Sequence, residues 1–172
     1  MTTGTVLRTL RHLATGRRAV RRVLDDAALQ RLQQAITASE QGHDGQIRLC
    51  VEAALPWRYL RGRASPRDRA LTMFAKLRVW DTERNNGVLV YLLLADRAIE
   101  VVADRALHRR IAPADWQTLV EAMRGPLHEG RHEQALQTAV ATLDGWLRQH
   151  FPADPSPART RDNELPDPVE LG

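Results

Sequence analysis

Gly87-Val88-Leu89-Val90-Tyr91-Leu92-Leu93-Leu94 carries no charged residue. A strand with one wet face alternates apolar and polar side chains; this run is apolar on both faces. It therefore predicts a central strand covered from both sides. Asp96-Arg97 follows as a short turn, and Ile99–Ala103 returns as a strand antiparallel to the first. Upstream, Gly45–Ala53 alternates: Ile47, Leu49 and Val51 point one way, Gln46, Arg48, Cys50 and Glu52 the other. That pattern predicts a strand with one buried face.

Between these two strands stands Ser65-Pro66-Arg67-Asp68. Ser caps a helix, Pro takes its first position, and Asp reaches back from three residues on. The spacing predicts a helix to about Trp80, burying Ala70, Met73, Phe74 and Leu77, after a loop "ALPWRYLRGRA". Strand, capped helix and strand make a parallel crossover, right-handed by default. Asp25-Asp26 offers an N-cap for a helix to about Glu40, with Leu29, Leu32, Ala35 and Ile36 inward. Pro113 opens another helix, which Gly125-Pro126 stops. A last helix starts at Gly130 and carries Leu136, Ala139, Val140, Leu143, Trp146 and Leu147 on one stripe. The expected architecture is α/β, a small mixed sheet between helical layers.

Three segments differ in composition. Residues 1–24 carry six Arg and no acid, residues 152–172 two Arg and five acids, and the rest seventeen basic and sixteen acidic residues. The expected organisation is a basic amphipathic arm over 1–23, a folded domain over 24–151, and a Pro-rich flexible tail over 152–172. With 43% hydrophobic and 27% charged residues the body is globular rather than disordered. A body so near neutrality disfavours nucleic acid, whose binders carry their basic stripe on the fold. No apolar run approaches a membrane span and no secretory leader is visible, so a cytoplasmic location is expected. The single Cys50 fits a reducing compartment. In the arm, Val6, Leu7, Leu10, Leu13 and Ala14 recur at helical spacing among Arg8, Arg11, Arg17, Arg18, Arg21 and Arg22. Two readings stand: an anchor lying on an anionic membrane surface, each Arg adding about 1 kcal/mol, or an extension packed on the domain.

Two candidate sites invite weighing. His128-Glu129-Gly130-Arg131-His132 matches H-E-x-x-H, in which two His on one helix face grip zinc and Glu activates water. Gly125-Pro126 and Gly130 break any such helix, and no third ligand follows at the required spacing, so the zinc-protease reading is rejected. Ser39, Ser65 and Ser156 lack a nucleophile elbow, no Gly-rich phosphate loop exists, and the four Trp read as packing. The second site is a loop cluster. If Asp96-Arg97 is a two-residue turn, Leu89 pairs with Asp104, and Asn85, Asn86 and Asp104 meet at one sheet edge, near Asp81 and Glu83. Such oxygen donors suit Ca2+ or Mg2+, with Asp104 and Asp81 as ligands. The plainer reading, a solvated rim of caps and Asx turns, is preferred.

Leu24-Asp25-Asp26-Ala27-Ala28-Leu29, Asn85-Asn86-Gly87-Val88-Leu89-Val90 and the stretch "LLLADRAIEVVADRALH" over 92–108 together resemble the TPM domain. This family includes a thylakoid phosphatase-like protein, a photosystem repair factor and a receptor-associated membrane protein. The resemblance covers about residues 24–150, and "RVWDTERNNGVLVYLLLADR" points to the short bacterial form without a membrane anchor of its own. It implies a Rossmann-like three-layer α/β/α sandwich, Ca2+ binding in some members, and a weak acid-phosphatase activity ascribed to the plant member. It implies as partners a membrane-anchored TPM protein or a LemA-type coiled-coil protein. The sequence departs from the family's acidic pattern: Asn85 stands where an Asp is common, and Arg105 adjoins Asp104. Both changes lower cation affinity. The expected function is a non-catalytic binding or accessory module at the cytoplasmic membrane face, with a protein partner. The other reading is a divalent-dependent phosphatase-type hydrolase using Asp81, Asp104 and the Asn85-Asn86 loop.

Overall fold

Doubly apolar Gly87–Leu93 lies where its composition requires, inside the sheet and buried at every position. The computed structural model describes residues 3–16, 18–153 and 168–172. Among these, β1 (Gln46–Glu52), β2 (Gly87–Leu93), β3 (Ala98–Ala103) and β4 (Glu170–Leu171) form one sheet in the order β3-β2-β1-β4. β1 runs parallel to β2 and to β4, and β2 pairs antiparallel with β3. Gly87 is required by a close approach, because a Cβ there would lie 2.0 Å from the Val79 carbonyl oxygen.

Helices cover both faces. One face presents Ile47, Leu49, Val51, Val88, Val90 and Leu92 to α3 (Asp26–Glu40), α7 (Pro113–His128) and α8 (His132–His150). The other presents Cys50, Leu89, Tyr91 and Leu93 to α5 (Pro66–Lys76), through Ala70 and Met73. The mixed sheet between helical layers is thus present, an α/β sandwich. Its start signals work as read: Asp25 caps α3 by accepting from the Ala28 N–H, and Ser65 and Asp68 form a full capping box.

Several expectations need correction. β1 is buried along all seven residues, not on one face. Its polar side is covered too, because Glu52 finds a buried partner in Arg69. The hairpin register is shifted by two: Leu89 pairs with Val102, and Val88 with Ala103. The turn is Leu94–Arg97, because the Leu94 and Ala95 N–H groups bond to the Glu52 and Ala53 carbonyls and keep that end of β2 on β1. Arg97 closes the turn in the left-handed region, at φ 50. α5 stops at Lys76 rather than Trp80, and Arg78 turns left-handed at φ 54. α7 does not stop at Gly125-Pro126 but runs to His128. Proline removes one N–H there, and the following amides of Glu129 and Arg131 still reach Gly125 and Pro126. The loop after β1 contains a short helix, α4 (Trp57–Arg61), and α6 (Arg105–His108) follows β3. Trp57 and Trp80 are half exposed, so only Trp116 and Trp146, packed edge to face at 4.9 Å, serve as packing.

The arm takes the packed one of its two readings, and the described end of the tail is ordered. The arm forms α1 (Thr3–Ala14) and α2 (Arg18–Val23), and Val20 and Leu24 enter the main core. The tail, expected to be flexible, ends in order: Glu170 and Leu171 pair with Cys50 and Val51 as an edge strand. Residues 154–167 of that tail, and Arg17 of the arm, lie outside the described residues.

Candidate functional site

Polar side chains gather in three places. The first is the end of the sheet where β2 begins, the edge at which sequence reasoning placed a cation. Asp104 follows β3 and donates its backbone N–H to the Gly87 carbonyl at 2.8 Å, while the Ala106 N–H reaches the Asn85 carbonyl at 3.0 Å. Asn85, Asn86 and Asp104 therefore do meet, through backbone bonds rather than the expected register. Asn85 occupies the left-handed region at φ 52, as Asn tolerates better than most residues. Asn86 is fully buried and its Nδ2 donates to the Asp44 carbonyl at 3.1 Å. Asp104 caps α6, its Oδ1 accepting from the Arg105 N–H. Asp81 and Glu83 are exposed on the loop that leads to this edge, and Asp81 pairs loosely with Arg78 at 3.8 Å.

A divalent ion fits this edge poorly. Two buried oxygens, Asn86 Oδ1 and Asp104 Oδ2, lack a hydrogen-bond donor. Ca2+ takes roughly six to eight oxygens, and Mg2+ near-octahedral geometry. Among the described residues no three His, Cys, Asp or Glu side chains come together to hold a metal. His128 and His132 share no helix face either: one ends α7, the other begins α8, and Gly130 between them sits at φ +74. His132 Nδ1 lies 2.9 Å from the Gly130 carbonyl.

The second gathering joins α3 to α8. Ser39 Oγ lies 2.8 Å from His43 Nε2 and donates to Asp144 Oδ1 at 2.9 Å. This trio has a hydrolase's residue types but not its geometry. In a working triad the imidazole stands between Ser and Asp, using both nitrogens. Here Asp144 bonds the hydroxyl directly, and His43 Nδ1 meets neither residue. Burial lowers the His43 pKa against the opposing pull of Asp144, so the ring is held neutral as a strap between helices. Burial also works against the Asp144 carboxylate, but bonds from Arg148 and Ser39 outweigh it and lower its pKa.

The third gathering lies at the opposite end of the sheet, and sequence reasoning missed it. Under α5, Arg69 makes a two-pronged bond to Glu52, and Tyr91 Oη donates to Glu52 Oε2 at 2.7 Å. The carboxylate raises the Arg69 pKa, while burial and then Glu52 raise that of Tyr91. Beyond β2, Asp96 in the hairpin turn holds α1. Arg8 Nη2 and Nε reach it at 2.8 and 3.0 Å, Arg11 at 3.2 Å, and His12 Nε2 at 3.0 Å. The His12 side chain is fully buried, and its Nδ1 accepts the Leu55 N–H at 3.0 Å. That bond requires the tautomer with the proton on Nε2, donated to Asp96. Burial opposes the Asp96 charge, yet Arg8 and His12 outweigh it and hold the carboxyl below its usual range.

This latch inverts the arm. Its charged side faces the body, while Leu7, Leu10 and Leu13 remain 57–66% exposed and Val6 43%. Arg8 and Arg11 bond Asp96, Arg11 with its side chain still 51% exposed, and Arg18, Arg21 and Arg22 are exposed, Arg21 beside Asp26. No local signal marked Asp96 as a receptor for the arm, since its partners lie 84 to 88 residues away.

Comparison with known proteins agrees with this architecture. The BA42 protein of the psychrophilic bacterium Bizionia argentinensis superposes with a TM-score of 0.74 at 23% identity, over 87% of this chain and 95% of that one. The N-terminal domain of a P. gingivalis protein gives a TM-score of 0.60 at 18% identity, over 77% and 83%. At these identities the likeness speaks for the fold alone. No curated protein matches. A family model, the TPM domain, matches residues 20–145, from the second arm helix through most of α8, and on that match the chain belongs to the TPM domain family.

Proposed function

We propose that this TPM domain is a non-catalytic accessory module that docks through α1 at a membrane face, beside a protein partner. One observation carries the reading: the Asp96 latch presents the apolar side of α1 to solvent, with Val6, Leu7, Leu10 and Leu13 in one exposed row. Covering that row contributes on the order of 5 kcal/mol, enough for reversible attachment. No helix among the described residues is long and apolar enough to cross a membrane, so attachment would be from one side. Flotation with anionic vesicles tests it. The full chain should rise with the vesicles, and the Leu7→Asp/Leu10→Asp variant should not. Equal recovery of the two would remove α1 from the reading.

The alternative is a divalent-dependent phosphate-ester hydrolase at Asp104 and Asn86. Their two donor-free buried oxygens speak for it, and the short donor set speaks against it. It requires a rise in melting temperature with millimolar Ca2+ or Mg2+.

A further inference from the structure

The H-E-x-x-H stretch, useless as a zinc grip, has a second geometry. His128 and His132 both line a groove of about 330 Å3, near the lower bound of ligand pockets. Its walls are apolar: Val23 from α2, Leu92 and Leu94 from β2 and its turn, Ile99 from β3, and Leu127 from α7. Its polar side chains are Arg97, Arg124, His128 and His132, and no carboxylate lines it among the described residues. Arg124 leans on Glu121, but both are more than half exposed, and such pairs contribute at most about 1 kcal/mol. Gly130 places the two imidazoles here, because its left-handed turn folds the start of α8 back beside the end of α7.

We propose that this groove binds a single-chain anionic lipid: the acyl chain against the apolar walls, the carboxylate or phosphate head among the two arginines and two histidines. Charge complementarity selects the head, since four cationic or protonatable side chains face no acid in the groove. The apolar walls select a lipid over a free anion, which would leave them wet. No Phe, Tyr or Trp lines the groove. The site lies at the carboxyl end of β2, where open α/β sheets place ligands. It stands independently of vesicle docking, although Arg97 adjoins the latch residue Asp96.

The experiment titrates laurate, dodecanol and inorganic phosphate into the full chain, below micelle formation, following backbone amides by NMR. Laurate should shift the amides of Leu94, Ile99, Leu127 and His132, with at least about tenfold tighter binding than dodecanol. Phosphate alone should leave Leu94 and Ile99 unmoved. Arg97→Glu/Arg124→Glu, at two exposed positions, should weaken laurate by about tenfold or more. Ala19→Trp should block the groove. The Leu7→Asp/Leu10→Asp variant should bind laurate like the parent chain, which separates failure of this site from failure of the α1 reading. Equal affinity for laurate and dodecanol, undiminished laurate binding in the charge-reversed variant, or phosphate shifts matching those of laurate would each overturn the proposal.

Discussion

The two ends of the β1–β2 pair use polar residues in opposite ways. Where β2 begins, partners are mostly sequence neighbours: Asp104 bonds Arg105, Thr82 bonds Asn86, and Asp81 pairs with Arg78. The longer-range side-chain bonds there both go to Asp44: Asn86 donates to its carbonyl across 42 residues, and Arg84 pairs with its carboxylate at 2.8 Å. Where β2 ends, partners come from far away: Arg69 reaches Glu52 across 17 residues, Tyr91 across 39, and Arg8 reaches Asp96 across 88. The first end looks acidic in the sequence but serves to cap and turn the chain. The second shows no local motif, yet it joins the arm, both central strands and α5. Polar residues close in sequence tend to satisfy one another, and those drawn together by the fold are what hold separate elements in place.

Five substitutions and one titration can break or sharpen this contrast. Arg69→Ala should have the largest effect, because Glu52 would stay buried without its cation. The expected loss is about 3–5 kcal/mol, or roughly 10 °C in melting temperature, read by calorimetry. Asp96→Ala comes next, at about 2 kcal/mol: the Asp96 side chain is only 9% exposed, but Arg8 and Arg11 are partly exposed and screened. Amide exchange in α1 should speed up in that variant while β2 stays protected; unchanged exchange in α1 would dissolve the contrast. Acid should imitate it. Because folding lowers the Asp96 pKa, the latch contributes fully above about pH 3.9, the ordinary Asp value. It is then lost as pH falls through the depressed value. Protection of the α1 amides, taken relative to the intrinsic exchange rate at each pH, should therefore fall at low pH in the parent chain and be low at every pH in Asp96→Asn. Asp104→Ala should cost about 1 kcal/mol, the worth of a helix cap. Asp81→Ala should stay within about 0.5 kcal/mol, as for an ordinary surface site. A larger loss at Asp81 would mean the first end does more than cap and turn.

The legible parts of this protein share one feature, which is that their evidence is local. The N-cap of α3, the capping box of α5, the doubly apolar run at Gly87–Leu93 and the apolar stripe of α8 appear in the structure within a residue or two of where the sequence places them. The hairpin register was not legible, because two further bonds from the turn to β1 decided the turn length. Nor was the burial of the polar side of β1, which depends on Arg69 arriving from another element. Of the cation-site residues, Asn85, Asn86 and Asp104 could be brought together from the hairpin, though through a register two residues off. The arm shows the limit most clearly. Its amphipathic spacing was visible, but which side faces the body depends on distant partners, the Asp96 carboxylate and the backbone of Leu55 and Ala64.

The sequence by itself determined the order of the principal elements, the sandwiched centre of the sheet and the family, since side-chain periodicity and caps act within a few residues. Only the tertiary structure decided that Asp96 claims the basic side of α1, that Glu52 and Arg69 neutralise each other in the interior, and that His128 and His132 border a groove. Ion pairs and cavities are properties of distances through space, and a chain's local pattern carries no record of them.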